Sequence, residues 1–539
     1  MRRTILFLIT LLATAVLWPI SVWAYTGSGT EGDPYKVDNW ADLKTRMAAG
    51  GYIKLMGDCT DPNPTNLTYL SVPANKTVTL DLNGYMINRG LESDIYMGFV
   101  IVVSATGTLI IDDSYNGPFD SNHADRIHDI SGGETINGGL ITGGKNIRQT
   151  GYNYNVGGGI NNLGTLILNK GTIAGNSTNE YGGGVYVAKD YNNSNPSSSN
   201  SSFTMNGGAI LYNSSQIDGG GIYLSSGTFT MNGGTVGGNS SIDGNGGGIY
   251  HISGTLSLTG GTIENNTCNA NKYGGGIYRN TNNTFNISGN PIVRNNKKGD
   301  LETGSTNNLC LNYDNYDNSK ITVNGALSEN AQIGIFIKKT NLDSRVFTTG
   351  LNTYGVSESF SSDDSNYTIT TNNGEAKIIT NWLYLKDRFS AGGDITLDRD
   401  YISQNSEDWL TVSSGKAVVL DLNGYKIDRN KSSAAASGSV INVYGTLTII
   451  DTYPGRDRVH TITVNGESVD IVGGLITGGN SSSDGNYGGG ITNNGTLILQ
   501  SGTIAGNKAE LQLLILKIPV ICKLSKKDNL FWIISWSFE

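Results

Sequence analysis

Short runs with every second residue apolar recur along most of the chain, as in Thr165-Leu166-Ile167-Leu168, Thr228-Phe229-Thr230-Met231 and Thr255-Leu256-Ser257-Leu258. Such alternation turns one set of side chains inward and the next outward, and it predicts short strands. Gly, Asn and Ser bound each run, as turns require. No repeat contains an amphipathic helix. Two stretches outside the repeats do carry a helical period. Trp40, Leu43 and Met47 follow Asn39, and Trp382, Leu385 and Phe389 follow Asn381. Each triplet falls at i, i+3 and i+7, which marks one face of a short helix started by asparagine.

The strands are organised by repetition. Gly-Gly-Gly-Ile/Val stands at Gly157, Gly182, Gly219, Gly246 and Gly274, steps of 25, 37, 27 and 28 residues, and again at Gly488. The long step holds an Asn/Ser-rich insertion, 190–202. An [Ile/Val]-x-x-Asn phrase accompanies the triplets, ending at Asn176, Asn213, Asn239, Asn266, Asn296 and Asn507. Periods of this size signal solenoids, propellers or arrays. The repeat is too short for a propeller blade of roughly 40 residues and lacks the helix of a leucine-rich repeat. Three strands and three turns per coil fit it, so an all-β fold, a right-handed parallel β-helix solenoid, is predicted. Asparagines at equivalent turns are expected to hydrogen-bond from coil to coil.

A longer echo overlies the short one. Leu80-Asp81-Leu82-Asn83-Gly84-Tyr85 returns as Leu420-Asp421-Leu422-Asn423-Gly424-Tyr425, and Gly139-Leu140-Ile141-Thr142-Gly143-Gly144 returns as Gly474-Leu475-Ile476-Thr477-Gly478-Gly479. Two tandem modules are therefore expected, each opened by a short capping helix. Their boundaries are read as 25–345 and 379–507, joined by a connector at 346–378. Residues 508–539 break the pattern: they lack glycine, hold Trp532 and Trp536, and read as a truncation or frameshift.

Composition narrows the function classes. Glycine fills 74 of 539 positions and proline only 10, without a collagen triplet. Charged residues make up 15% and the formal net charge is −9, which offers no basic footprint for nucleic acid. Arg2 and Arg3 precede an apolar stretch from Ile5 to Ile20, and Val22 and Ala24 suit a signal peptidase. Residues 1–24 are read as a signal peptide, which implies a secreted or cell-surface protein with no transmembrane span in the mature chain. Cys59, Cys268, Cys310 and Cys522 are too scattered for a disulfide framework or a metal-ligand spacing. No metal or cofactor is expected.

Paired with [Ile/Val]-x-x-Asn, the Gly-Gly-Gly-Ile phrase resembles the repeats of polymorphic outer-membrane proteins and related bacterial adhesin-like proteins. Ile or Val stands in every copy where that family has phenylalanine. More broadly, the chain looks like the pectate-lyase-like superfamily of right-handed β-helices. The resemblance covers about 138–300 and 473–507, and it implies a surface or secreted β-helix used for attachment.

Candidate chemistry is sparse. A polysaccharide lyase would need clustered carboxylates and a base. Asp112 and Asp113 are the nearest candidates, although both read as turn residues after Leu109-Ile110-Ile111. Asp451 is read as the repeat of Asp112, with Thr452 in place of Asp113. His123 and His128, with Asp120, Asp125, Arg126 and Asp129, read as a solvated insertion loop. No catalytic residue is assigned. Tyr186, Tyr223, Tyr250 and Tyr278 each follow a glycine triplet, and alternation sends them outward as a stripe. Such a row either stacks against sugar rings or stacks upon itself. The expectation is a non-catalytic, monomeric, adhesin-like rod binding a glycan or cell-surface partner. A polysaccharide lyase or hydrolase and a passive spacer are the alternatives.

Overall fold

The computed structural model describes residues 27–509 apart from 131, 148–155, 190–200, 281–282, 314–319, 340–341, 343, 355–356, 405–406, 465 and 483–487. The expected signal peptide, most of the insertion at 190–202 and all of the tail beyond Ala509, Cys522 included, lie outside the described residues. The chain forms two compact units. The first takes the described residues within Met1–Lys339, Thr348–Asp363 and Asn373–Glu375, and the second those within Thr340–Phe347, Asp364–Asn372 and Ala376–Glu539.

The first unit is built of long, mostly parallel sheets of very short strands, the architecture of a β-helix-like solenoid. An 11-stranded sheet, an 18-stranded sheet and an 8-stranded sheet share it. In the 11-stranded sheet the chain order is also the spatial order, from Tyr35–Val37 to Thr348–Thr349. Each repeat therefore adds one strand about 4.8 Å from the last. Register keeps like beside like: Leu166, Phe203, Phe229, Leu256 and Phe285 are successive partners. All five are essentially inaccessible to solvent. The Phe203 and Phe229 rings stack at 4.8 Å. Burying each of these side chains is worth about 1.5–3 kcal/mol, and the interior row continues with every added coil.

Glycine lets neighbouring coils approach at the triplets. A Cβ on Gly247 would lie 2.1 Å from the carbonyl oxygen of Thr267, and one on Gly220 would lie 2.4 Å from that of Ser240. Neither position demands an unusual backbone angle. It is the closeness of the next coil's backbone that excludes a side chain.

Both expected helices form. Helix α1 (Trp40–Ala49) buries Trp40, Leu43 and Met47, and Asn39 caps it by accepting from the Asp42 N–H. In the second unit, helix α2 (Asn381–Ala391) buries Trp382, Leu385 and Phe389. Its cap is Thr380 rather than the expected Asn381, whose amide instead bonds Thr368 and Ser365. The second unit has shorter parallel sheets of four, four, three and two strands, whose last described strands are Ile491–Asn493, Thr496–Leu499, Thr503–Ile504 and Lys508–Ala509.

Candidate functional site

The four tyrosines form a ladder. Tyr186, Tyr223, Tyr250 and Tyr278 are successive register partners on parallel strands. Their rings stack at 5.5, 5.1 and 5.2 Å with planes 3–16° apart. The expectation that they stand exposed is corrected, because each is only 5–8% accessible. Each ring covers the face of the next, while Tyr181, Tyr273, Ile252 and Leu163 pack along the row. Burial drives the hydroxyls of Tyr223 and Tyr250 far above the ordinary phenol range. With the inner faces occupied, the ladder stiffens the solenoid and leaves little ring surface for a sugar.

Asparagine forms a second, fully buried ladder. The backbone N–H and Nδ2 of Asn176 both donate to Oδ1 of Asn213 at 3.1 Å, and Asn213 does the same to Asn239 at 3.0 Å. The series runs on through Asn266 and Asn296. Each Nδ2 from Asn213 to Asn296 also donates to a carbonyl one coil back, so each amide joins three coils. The chain of donors then passes to Asn308 and ends on Asp363, whose two oxygens accept from Asn308 N at 2.6 Å and Nδ2 at 2.7 Å. Burial raises the Asp363 carboxyl to about 6, although the two Asn308 bonds and Lys297 work against the shift. Asn308 and Asp363 stand outside the repeat phrase, so no periodicity marks them.

The carboxylates first considered for chemistry accept hydrogen bonds from the backbone. Asp113 accepts from the Gly84 N–H at 2.6 Å and the Gly139 N–H at 2.7 Å, tying its coil to the one before and closing its own turn across the base of the inserted hairpin. In the second unit Asp451 accepts from Gly424 and Gly474, both at 2.7 Å. Asp451 thus repeats Asp113, not Asp112, and Ile450 stands in the register position of Asp112. Asp112 itself accepts from the Asp113 N–H.

The supposed solvated loop is also corrected. Residues Ile127–Asp129 and Thr135–Asn137 pair as an antiparallel hairpin. His128 is buried and bonds the Gly84 carbonyl through Nε2 at 2.9 Å, while the Arg126 guanidinium lies 3.3 Å over the Tyr85 ring. Because a carbonyl only accepts, Nε2 carries the proton. The second unit repeats this clamp: His460 bonds Gly424 O at 2.9 Å and Arg458 lies 3.8 Å over Tyr425. Asp125-Arg126-Ile127-His128 against Asp457-Arg458-Val459-His460 was the signal in the sequence. His123 and Asp120 pair with each other at the exposed end of the segment. Among the described residues, no group of three or more His, Cys, Asp or Glu side chains is arranged to hold a metal ion. Nor is any helix among them long and apolar enough to cross a membrane.

The other face of the 11-stranded sheet is presented outward. On seven successive strands the same register position holds Thr77, Thr108, Thr165, Ser202, Thr228, Thr255 and Thr284. Two residues along each strand stand Thr79, Ile110, Ile167, Thr204, Thr230, Ser257 and Asn286. All fourteen are partly or fully exposed, alternating with buried apolar residues, and none is charged.

No protein-family model, curated protein or solved structure matches the chain.

Proposed function

We propose that this is a secreted or cell-surface, adhesin-like protein of two tandem right-handed β-helical modules, each closed by its helix, that holds a neutral polysaccharide without cleaving it. One observation carries the reading: seven parallel strands present an uncharged double row of mainly hydroxyl side chains on a protein of net charge −9. A sugar polymer laid across the strands meets a new hydroxyl every ~4.8 Å, close to the advance of one sugar in an extended chain. Many weak, repeated contacts suit attachment, where avidity replaces a deep pocket. The carboxylates proposed for turnover support the non-catalytic side, since Asp113 and Asp451 already accept from backbone N–H groups. Of the two roles open to the tyrosines, they enter as the row that stacks upon itself and stiffens the sheet.

The test offers the full chain a panel of neutral and acidic insoluble polysaccharides with calcium present, reading retained protein and new reducing ends. Saturable retention on a neutral polymer without new ends is expected. New ends that vanish in an Asp113→Asn variant would establish the lyase or hydrolase alternative, and neither signal would leave a passive spacer.

A further inference from the structure

Beside the two hydroxyl rows, the outer face of the 11-stranded sheet carries a third row of side chains. Asn169, Asn206, Asn232 and Thr259 directly follow the strand-ending, buried residues Leu168, Met205, Met231 and Leu258, so alternation turns them outward. Their backbones keep the stacking of the strands. The Asn206 N–H donates to Leu168 O at 2.8 Å, that of Asn232 to Met205 O at 2.8 Å and that of Thr259 to Met231 O at 2.9 Å. Asn206 and Asn232 are exposed, and Asn169 and Thr259 partly so.

The side chains of this row bond coil to coil. Asn206 Nδ2 donates to Asn169 Oδ1 at 3.0 Å, Asn232 Nδ2 to Asn206 Oδ1 at 2.9 Å and the Thr259 hydroxyl to Asn232 Oδ1 at 2.7 Å. The contrast with the buried ladder lies in the protons, of which a side-chain amide has two. Inside, Asn213 Nδ2 uses both, on Ile173 O and Asn239 Oδ1. Outside, Asn206 and Asn232 each use one, while each carbonyl of the row already accepts from the next coil. The row thus turns N–H donors toward a ligand at the ~4.8 Å strand spacing. The strip next to it is bare, because Gly207 and Gly233 follow; a Cβ there would lie 2.4 Å from Asn169 O and 2.7 Å from Asn206 O. On the two preceding strands the third-row positions are instead charged: Asp81 and Asp112 are register partners, and Lys54 pairs with Asp81 at 3.1 Å.

We infer, resting on the proposed function, that the neutral polymer held by this face carries N-acetylated amino sugars. A donor row calls for acceptors. Among the uncharged groups of sugars, the acetamide carbonyl is the strong acceptor that does not donate. Hydroxyls donate as readily as they accept, and the threonine and serine rows already meet them on equal terms. The acetamide methyl lies over the glycine strip, where no side chain stands in its way. Asn169, Asn206 and Asn232 are then the residues that distinguish an N-acetylated polymer from a plain glucan.

The test measures saturable retention of the full chain on insoluble chitin and on cellulose, which share a backbone and differ in the acetamide. Retention on chitin is expected to be at least tenfold tighter. An Asn206→Thr/Asn232→Thr variant removes the spare N–H groups but keeps a hydroxyl that can bond the previous coil, as Thr259 does. It should bring the chitin-to-cellulose ratio to about one with the melting temperature held, whereas a merely structural role would lower the melting temperature and leave the ratio in place. Equal retention of the wild type on both polymers, or a ratio unmoved in the folded variant, would overturn the inference while the proposed function stands. Retention on neither polymer would overturn both.

Discussion

At the scale of single residues, polar side chains inside this solenoid act as joints between coils. Asn239 holds four bonds: it accepts from the backbone and side chain of Asn213 and donates to Ile210 O and Asn266 Oδ1. Asn239→Ala strands those partners in the interior and should cost about 2–4 kcal/mol in chemical denaturation. Asp113→Ala leaves Gly84 and Gly139 N–H groups without their charged acceptor and should cost about 2–3 kcal/mol. Asp363 makes stability depend on pH with a definite sign. Its carboxyl titrates at about 6 in the folded protein against 3.8 as the reference value, so between those values the native state holds a proton the unfolded chain has released. Its contribution is therefore full below about pH 4 and falls as pH rises through 6, by about 3 kcal/mol. Denaturation of wild type and Asp363→Asn across pH 3.5–7.5 isolates the effect, the wild-type advantage shrinking as pH rises. A difference that grows with pH would contradict this assignment.

At the scale of elements, glycine decides how closely coils stack. Gly247→Ala places a methyl 2.1 Å from Thr267 O and should destabilise by about 2 kcal/mol or more. Gly32→Ala meets no atom within 4 Å and should leave the melting temperature nearly unchanged. The strands, both helices and the asparagine joints were legible in the sequence because each depends on a local period or a repeated phrase. Alternation also gave the correct face for Tyr186, Tyr223, Tyr250 and Tyr278. It did not give their burial, which depends on flanking residues such as Tyr181 and Tyr273 and on how closely successive rings stack. The hairpin carrying His128 escaped for a related reason. Its strands pair with each other rather than with the coils, so its period matches nothing in the repeat, and only the distant copy at His460 marks it as structure.

At the scale of the whole molecule, the polar groups divide into two populations. One is internal, where asparagine and aspartate bind coil to coil. The other is external, where threonine and serine stand in rows with no charge among them. In the proposed function it is the external population that holds the ligand. The most direct measurement compares retention of the full chain on an insoluble neutral polysaccharide with that of a Thr228→Lys/Thr255→Lys variant, whose melting temperature serves as the control for folding. Two long cations on adjacent strands obstruct the face without touching the interior, so retention should fall at least tenfold with the melting temperature held. A folded variant that is retained as well as wild type would contradict the claim.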